Sequence, residues 1–202
     1  MPSRQQRNTS PVRTISDFKS KLTGGGARPN LFEVELAFPD AVAIDNDVLQ
    51  KARFLVKAAA LPASTIANID IPFRGRVLKV AGDRTFETWT INVINDTDFK
   101  VRNAFERWMN FINNVATNRG ETEPAAYMAD AFVYQLDRNG DTLRYYKFYD
   151  MFPSSISAIQ LDYETDSVQE FTVEMQVLFW EARAGNMEDT ANLSGQDIVS
   201  DV

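Results

Sequence analysis

Over most of its middle the chain alternates hydrophobic and polar positions with a period of two. In residues 31–38, LFEVELAF, Phe32, Val34, Leu36 and Phe38 alternate with Glu33, Glu35 and Ala37, the pattern of a strand with one buried face. Residues 51–59 (KARFLVKAA) alternate in the same way through Ala52, Phe54, Val56 and Ala58, which predicts a second strand. Stretches 65–73 and 77–81 flank Arg74, Gly75 and Arg76, the signature of a hairpin tip, and a strand over 85–94 sets Trp89, Ile91 and Val93 on one face. Strands near 129–137 and 142–151 bracket Asn139 and Gly140, the strongest short hairpin signal in the chain. Two more are predicted at 157–163 and 169–180, the latter alternating Phe171, Val173, Met175, Val177 and Phe179 against Thr172, Glu174 and Gln176.

One segment changes period. From Asp96 or Thr97, both good N-caps, Val101, Ala104, Phe105, Trp108 and Ile112 recur at helical spacing, with Asp98 in the first turn. This predicts one amphipathic helix of about four turns whose apolar stripe covers a flank of the β body. Eight or nine strands and one helix imply a mainly β fold, a barrel or sandwich with a flanking helix. The ends differ in kind. Residues 1–28 are polar and basic and run into three glycines at 24–26, which predicts a flexible arm or a plain solvated tail; residues 29–181 form the β domain; residues 182–202 form a flexible tail.

Charge sharpens that division. Arg4, Arg7, Arg13, Lys19, Lys21 and Arg28 face Asp17 alone in the arm, a net of +5, whereas 181–202 carries Arg183 against five carboxylates, a net of −4. The whole chain is at −7, so the body between is at about −8. An acidic body repels nucleic acid, and the basic arm suits an acidic neighbour.

Candidate chemistry is mostly removed by composition. No cysteine excludes disulfides and thiolate sites, and no histidine closes most hydrolase triads and zinc sites. The glycines at 24–26 are not followed by Gly-Lys-Ser/Thr, so no phosphate loop is expected. Asp137, Asn139 and Asp141 imitate the start of a calcium loop, but Thr142 and Phe148 stand where glycine and glutamate are needed. A carboxylate pair of the glycosidase kind stays open as a rival, although Glu33, Glu35, Glu170 and Glu174 fall on solvated strand faces. No cofactor is expected. The first ten residues do not resemble a signal peptide, no membrane span is predicted, and Asn-x-Ser/Thr matches at Asn8, Asn95 and Asn192 read as chance.

Three segments carry a resemblance. Residues 27–36 read ARPNLFEVEL, 58–64 read AAALPAS, and 67–96 read ANIDIPFRGRVLKVAGDRTFETWTINVIND; the last leads directly into the amphipathic helix, and the chain's β pattern closes on LFWE at 178–181. In order and spacing they resemble the tail tube proteins of contractile-tailed bacteriophages, over roughly residues 27–181. The resemblance implies a fold shared with type VI secretion tube proteins, six copies closing into a ring, and rings stacking into a tube through which genomic DNA passes without specific binding. It implies tail sheath, baseplate and tail terminator proteins as partners, and a virion component made in the host cytoplasm. A tube carrying other cargo, or a tube-initiating ring, is the near alternative.

A ring of such domains must pair or hide its sheet edges. The tip residues Arg74, Gly75 and Arg76 are candidates to meet the acidic surface of a neighbouring ring. Gly82, Asp83 and Arg84 read as a local turn with an unusual glycine angle, or as an intersubunit ion pair; Arg28 joins them as a candidate assembly residue. Carboxylates facing the lumen are expected to repel DNA phosphates.

Overall fold

The computed structural model describes residues 14–184 apart from 23, 25 and 43. Residues 1–13 and 185–202, with the first part of the predicted arm, most of the predicted tail, Asn8 and Asn192, lie outside the described residues.

The described chain is mainly antiparallel β. Strands β1 (Phe32–Leu36), β2 (Val56–Ala59), β5 (Trp89–Ile94), β6 (Ala129–Leu136), β7 (Thr142–Ile156), β8 (Glu170–Gln176) and β9 (Phe179–Ala184) form one seven-stranded sheet, and β3 (Ser64–Phe73) pairs only with β4 (Arg76–Phe86). The helices are α1 (Ile15–Lys21), α2 (Asn46–Leu55), α3 (Lys100–Ile112) and the single turn α4 (Pro124–Tyr127). The strand path runs β1-β6-β7-β8-β5-β2, and its ends are not paired with each other. The sheet is therefore open between β1 and β2 rather than a closed barrel, and α2 packs across that side against β1, β2 and β5.

Strand β7 organises this topology. One side pairs with β6; the other pairs with β9 over 144–149 and with β8 over 152–156. Between the two stretches Asp150 takes a positive φ of 50°, a costly conformation for a non-glycine residue and the place where the strand changes partner. Strands β8 and β9 thus follow each other along one flank of β7. The predicted continuous strand 169–180 is broken at Val177 and Leu178 for that reason.

The core sits between the folded sheet and α3. Trp89, Trp108, Phe105, Phe148 and Phe171 are fully buried, with Trp89 stacked on Phe148 at 4.3 Å. Helix α3 buries Val101, Ala104, Phe105 and Trp108, the stripe that its period predicts. Its start differs: the N-cap is Phe99, and Asp98 lies ahead of the helix, its carboxylate accepting from the Lys100 backbone N–H at 3.2 Å.

Two further predicted elements are corrected. Residues 51–55 belong to α2, and only 56–59 are strand. The buried positions there are Val48, Ala52 and Val56, four apart, whereas Phe54 is 78% exposed; helical spacing governs, not alternation. The strand expected at 157–163 is an exposed loop, with β7 extending to Ile156 instead. Among the described residues of the predicted arm, 15–21 form α1, with a capping box between Thr14 and Asp17. The Asn139-Gly140 hairpin forms as predicted: Gly140 has φ +91°, and the Asp137 carboxylate accepts from the backbone N–H of Asn139 and Asp141 at 2.7 and 2.9 Å. Asp137 thus serves a turn, and no group of three or more acidic residues able to hold a metal occurs among the described residues.

A candidate assembly surface

The β3–β4 hairpin stands off the body. Apart from a few residues at its base it is exposed throughout, and it packs against no other element as it does against itself. Its base is fixed by tryptophans. The Trp89 indole N–H donates to the Ala60 carbonyl at 2.8 Å, the Trp180 N–H donates to that of Ala63 at 3.2 Å, and Phe86 meets Trp180 edge-on at 6.2 Å. Two buried or half-buried anchors therefore aim an otherwise free two-stranded arm.

Register sorts the arm into two faces. Ile69 opposes Val80, Ile71 opposes Leu78 and Phe73 opposes Arg76, so one face is apolar almost to the tip. The other carries Asn68, Asp70 and Pro72 against Ala81, Lys79 and Val77, with a Lys79–Asp70 ion pair at 3.1 Å. On the apolar face Ile69, Ile71, Phe73, Leu78 and Val80 are 53, 46, 66, 61 and 41% exposed. A two-stranded ribbon has nothing of its own to bury such a face against. Large contiguous apolar exposure on a soluble domain marks an interaction surface.

The tip is a two-residue turn. Arg74 and Gly75 have φ of 45° and 80°, the left-handed pair of a type I′ turn, and Arg76 is already the first residue of β4. Arg74 lies over the Phe73 ring at 5.4 Å from its centroid. Residues 82–84 are not a turn: β4 runs through them to Phe86, with a bulge opposite residues 66–68. Gly82 is not in the left-handed region; a Cβ there would meet the Ala67 carbonyl oxygen at 3.1 Å and Ile69 Cγ1 at 3.2 Å. Close approach of the two backbones selects glycine, and the unusual angle expected from sequence is absent. Arg74, Arg76, Asp83 and Arg84 share the hairpin and make no ion pair among the described residues. Arg28 is placed apart from them, ahead of β1, where its carbonyl accepts from the Gln135 side chain at 2.7 Å.

The carboxylates of the body are partly spent on internal pairs. Lys51 of α2 reaches Asp96 at 2.9 Å and Asp98 at 2.5 Å, and Lys100 reaches Asp47 at 2.7 Å. Those hydrogen bonds raise the lysines above their ordinary values and hold the Asp98 and Asp47 carboxyls below theirs. Glu33 and Glu35, read from sequence as free surface charge, flank Arg53 of α2 and tie that helix to β1. Sequence reasoning missed α2 and with it this network. A spacing of four between Val48, Ala52 and Val56 was the signal available.

Residues 27–182 match the family described as phage tail tube protein. The chain belongs to the phage tail tube protein family. Tail tube protein gp19 of Enterobacteria phage T4 is 32% identical over 161 residues, covering 79% of this chain and 93% of that protein. The tail tube protein of Serratia phage KSP90 is 27% identical over 166 residues, covering 81% and 93%. Among solved structures, a chain of the sheath–tube complex of an extracellular contractile injection system, in the extended state, superposes with a TM-score of 0.58 at 12% identity, covering 86% of this chain and 99% of that one. A chain of the anti-feeding prophage baseplate superposes with a TM-score of 0.59 at 15% identity, covering 80% and 98%. At such identity these structures establish the fold. Membership makes this tail tube family chain a structural phage tail component and not an enzyme. Among the described residues no helix is long and apolar enough to cross a membrane.

Proposed function

We propose that this tail tube protein closes into six-membered rings that stack into the inner tube of a contractile tail, and that the tube conducts genomic DNA. The observation that carries the reading is the anchored β3–β4 arm, whose apolar face nothing among the described residues covers. A neighbouring copy supplies the missing cover, and Arg74 and Arg76 place two cations at the far end of the arm, suited to the acidic body of the next ring. Asp83 and Arg84, unpaired near its base, are available to a subunit alongside. Arg28 belongs to a separate contact at the β1 edge. Sheath, baseplate and terminator proteins are the expected partners, in keeping with the sheath–tube, baseplate and terminator assemblies that hold chains of this fold. Carboxylates left unpaired on the lumen side keep DNA phosphates off the wall.

Electron microscopy of concentrated protein tests this directly. The wild-type chain is expected to form stacked rings, and Arg74→Glu/Arg76→Glu a folded protein that does not lengthen tubes. Normal tubes from the double variant would remove the stacking role of the tip.

A further inference from the structure

The amino-terminal helix was left aside by this reading, and it lies ahead of the family-matched residues 27–182. It is seven residues long and buries no residue. Isolated helices need about 12–15 residues to be even marginal in water, so a capping box alone does not hold this one. Stability must come from an apolar face packed against something. Such a face exists: Ile15, Phe18 and Leu22, spaced i, i+3 and i+7, are 75, 64 and 45% exposed on one side. Lys19 and Lys21 flank the stripe on either side, while Asp17 is spent on the cap, accepting from the Thr14 backbone N–H at 2.9 Å and its hydroxyl at 2.8 Å.

A surface of matching form lies on the loop between β7 and β8. Residues 157–169 contain Asp162, Glu164 and Asp166 and no basic residue. They enclose an open groove of about 430 Å³ lined by Ile159, Leu161 and Val168 together with Asp162 and Glu170. Leu161 and Val168 are 80 and 67% exposed. An apolar stripe edged by lysines thus has, in the same chain, a groove of mixed lining whose loop carries three carboxylates, Glu170 at its edge being already paired with Lys57 at 2.6 Å.

We infer that α1 of one copy docks into the 157–169 groove of the next copy along the tube. Exposure favours the second copy over the same chain: α1 buries no residue, and Leu161 and Val168 stay open, among the described residues of the single chain. Phe32, where the segment after α1 enters the sheet, pairs with Gln135, which pairs with Arg144 near the start of β7. The groove leaves the far end of β7, after Ile156. The chain therefore enters the sheet beside one end of β7, and the groove follows the other. A contact between two different surfaces of the same chain repeats head to tail, as a stack requires.

The proposal rests on the tube reading, and one sample separates the two. Because the chain has no cysteine, Phe18→Cys/Leu161→Cys carries the only two thiols. Oxidised after assembly, it is expected to give a ladder of linked copies on a non-reducing gel, which neither single variant gives. A bridge confined to one chain, or no bridge in a sample that shows tubes, would overturn the docking and leave the tube standing. Absence of both bridges and tubes would overturn both. Charge offers a second readout on tube formation. Lys19→Glu/Lys21→Glu is expected to raise the critical concentration about tenfold, and adding Asp162→Lys/Asp166→Lys in the same chain to restore most of it. No loss, or no recovery, counts against the contact.

Discussion

Replacing Ile71 and Leu78 by serine separates what the hairpin does for folding from what it does for assembly. The two residues oppose each other on the apolar face and are 46 and 61% exposed. Fully burying an aliphatic side chain is worth about 1.5–3 kcal/mol, and roughly half of each is still accessible in the single chain, so covering each by a neighbour contributes about 1 kcal/mol. The double variant should lose about 2 kcal/mol per copy–copy contact, roughly 30-fold in affinity. The isolated fold should hardly notice, since exposed substitutions away from special features usually stay within about 0.5 kcal/mol. Thermal unfolding of the unassembled chain measures the first quantity, and the critical concentration for tubes, by light scattering with sedimentation, measures the second. A melting temperature lowered by many degrees would mean that the face already packs within the chain. An unchanged critical concentration would mean that no neighbour covers it, and either result would refute the reasoning.

Two other expectations follow from local geometry. Gly82→Val should push β4 away from the Ala67 carbonyl, disturbing the hairpin while leaving the core intact; loss of amide protection confined to 64–86 in hydrogen exchange is the expected sign, and unchanged protection there would count against the close approach. The pairs that Lys51 makes with Asp98 and Lys100 makes with Asp47 should make stability depend on pH in a defined window. Asp98 and Asp47 are held below the ordinary 3.8, so their contribution is complete above that value and is lost as pH falls through the depressed ones; Lys51 is raised above 10.5, so its contribution persists through neutral pH and is lost only in strong alkali. The melting-temperature gap between wild type and Lys51→Met should be full at pH 7 and shrink as pH falls below 3.8; a gap of unchanged size there would assign the effect of Lys51 to packing.

What could be read in the sequence was whatever depends on one neighbour shell. Alternation located β1, β5 and the Phe171, Val173 and Met175 face of β8, the helical stripe of α3 came from Val101 to Trp108, and Asn139-Gly140 placed a turn. Each encodes its own geometry, because the side-chain period and the turn angle are local properties. Residues 51–59 satisfied both periods at once, and only packing of Ala52 under α2 against β1 resolved them as helix first and strand after. The split of 169–180 into β8 and β9, and the reach of β7 to Ile156, follow from which stretch of β7 each segment pairs with, a long-range choice that no window of residues contains. The same holds for the assembly surface. Ile69, Ile71, Leu78 and Val80 alternate as core residues do, and the pattern of a buried face is identical to that of a face awaiting a partner. Composition and pattern by themselves therefore determined a histidine-free, cysteine-free β domain with a basic front segment, and the family came from the resemblance of residues 27–181 to tail tube proteins. Tertiary structure decided which apolar positions the chain covers itself and which it leaves to another copy, because burial is a property of the space around a residue and not of the residue.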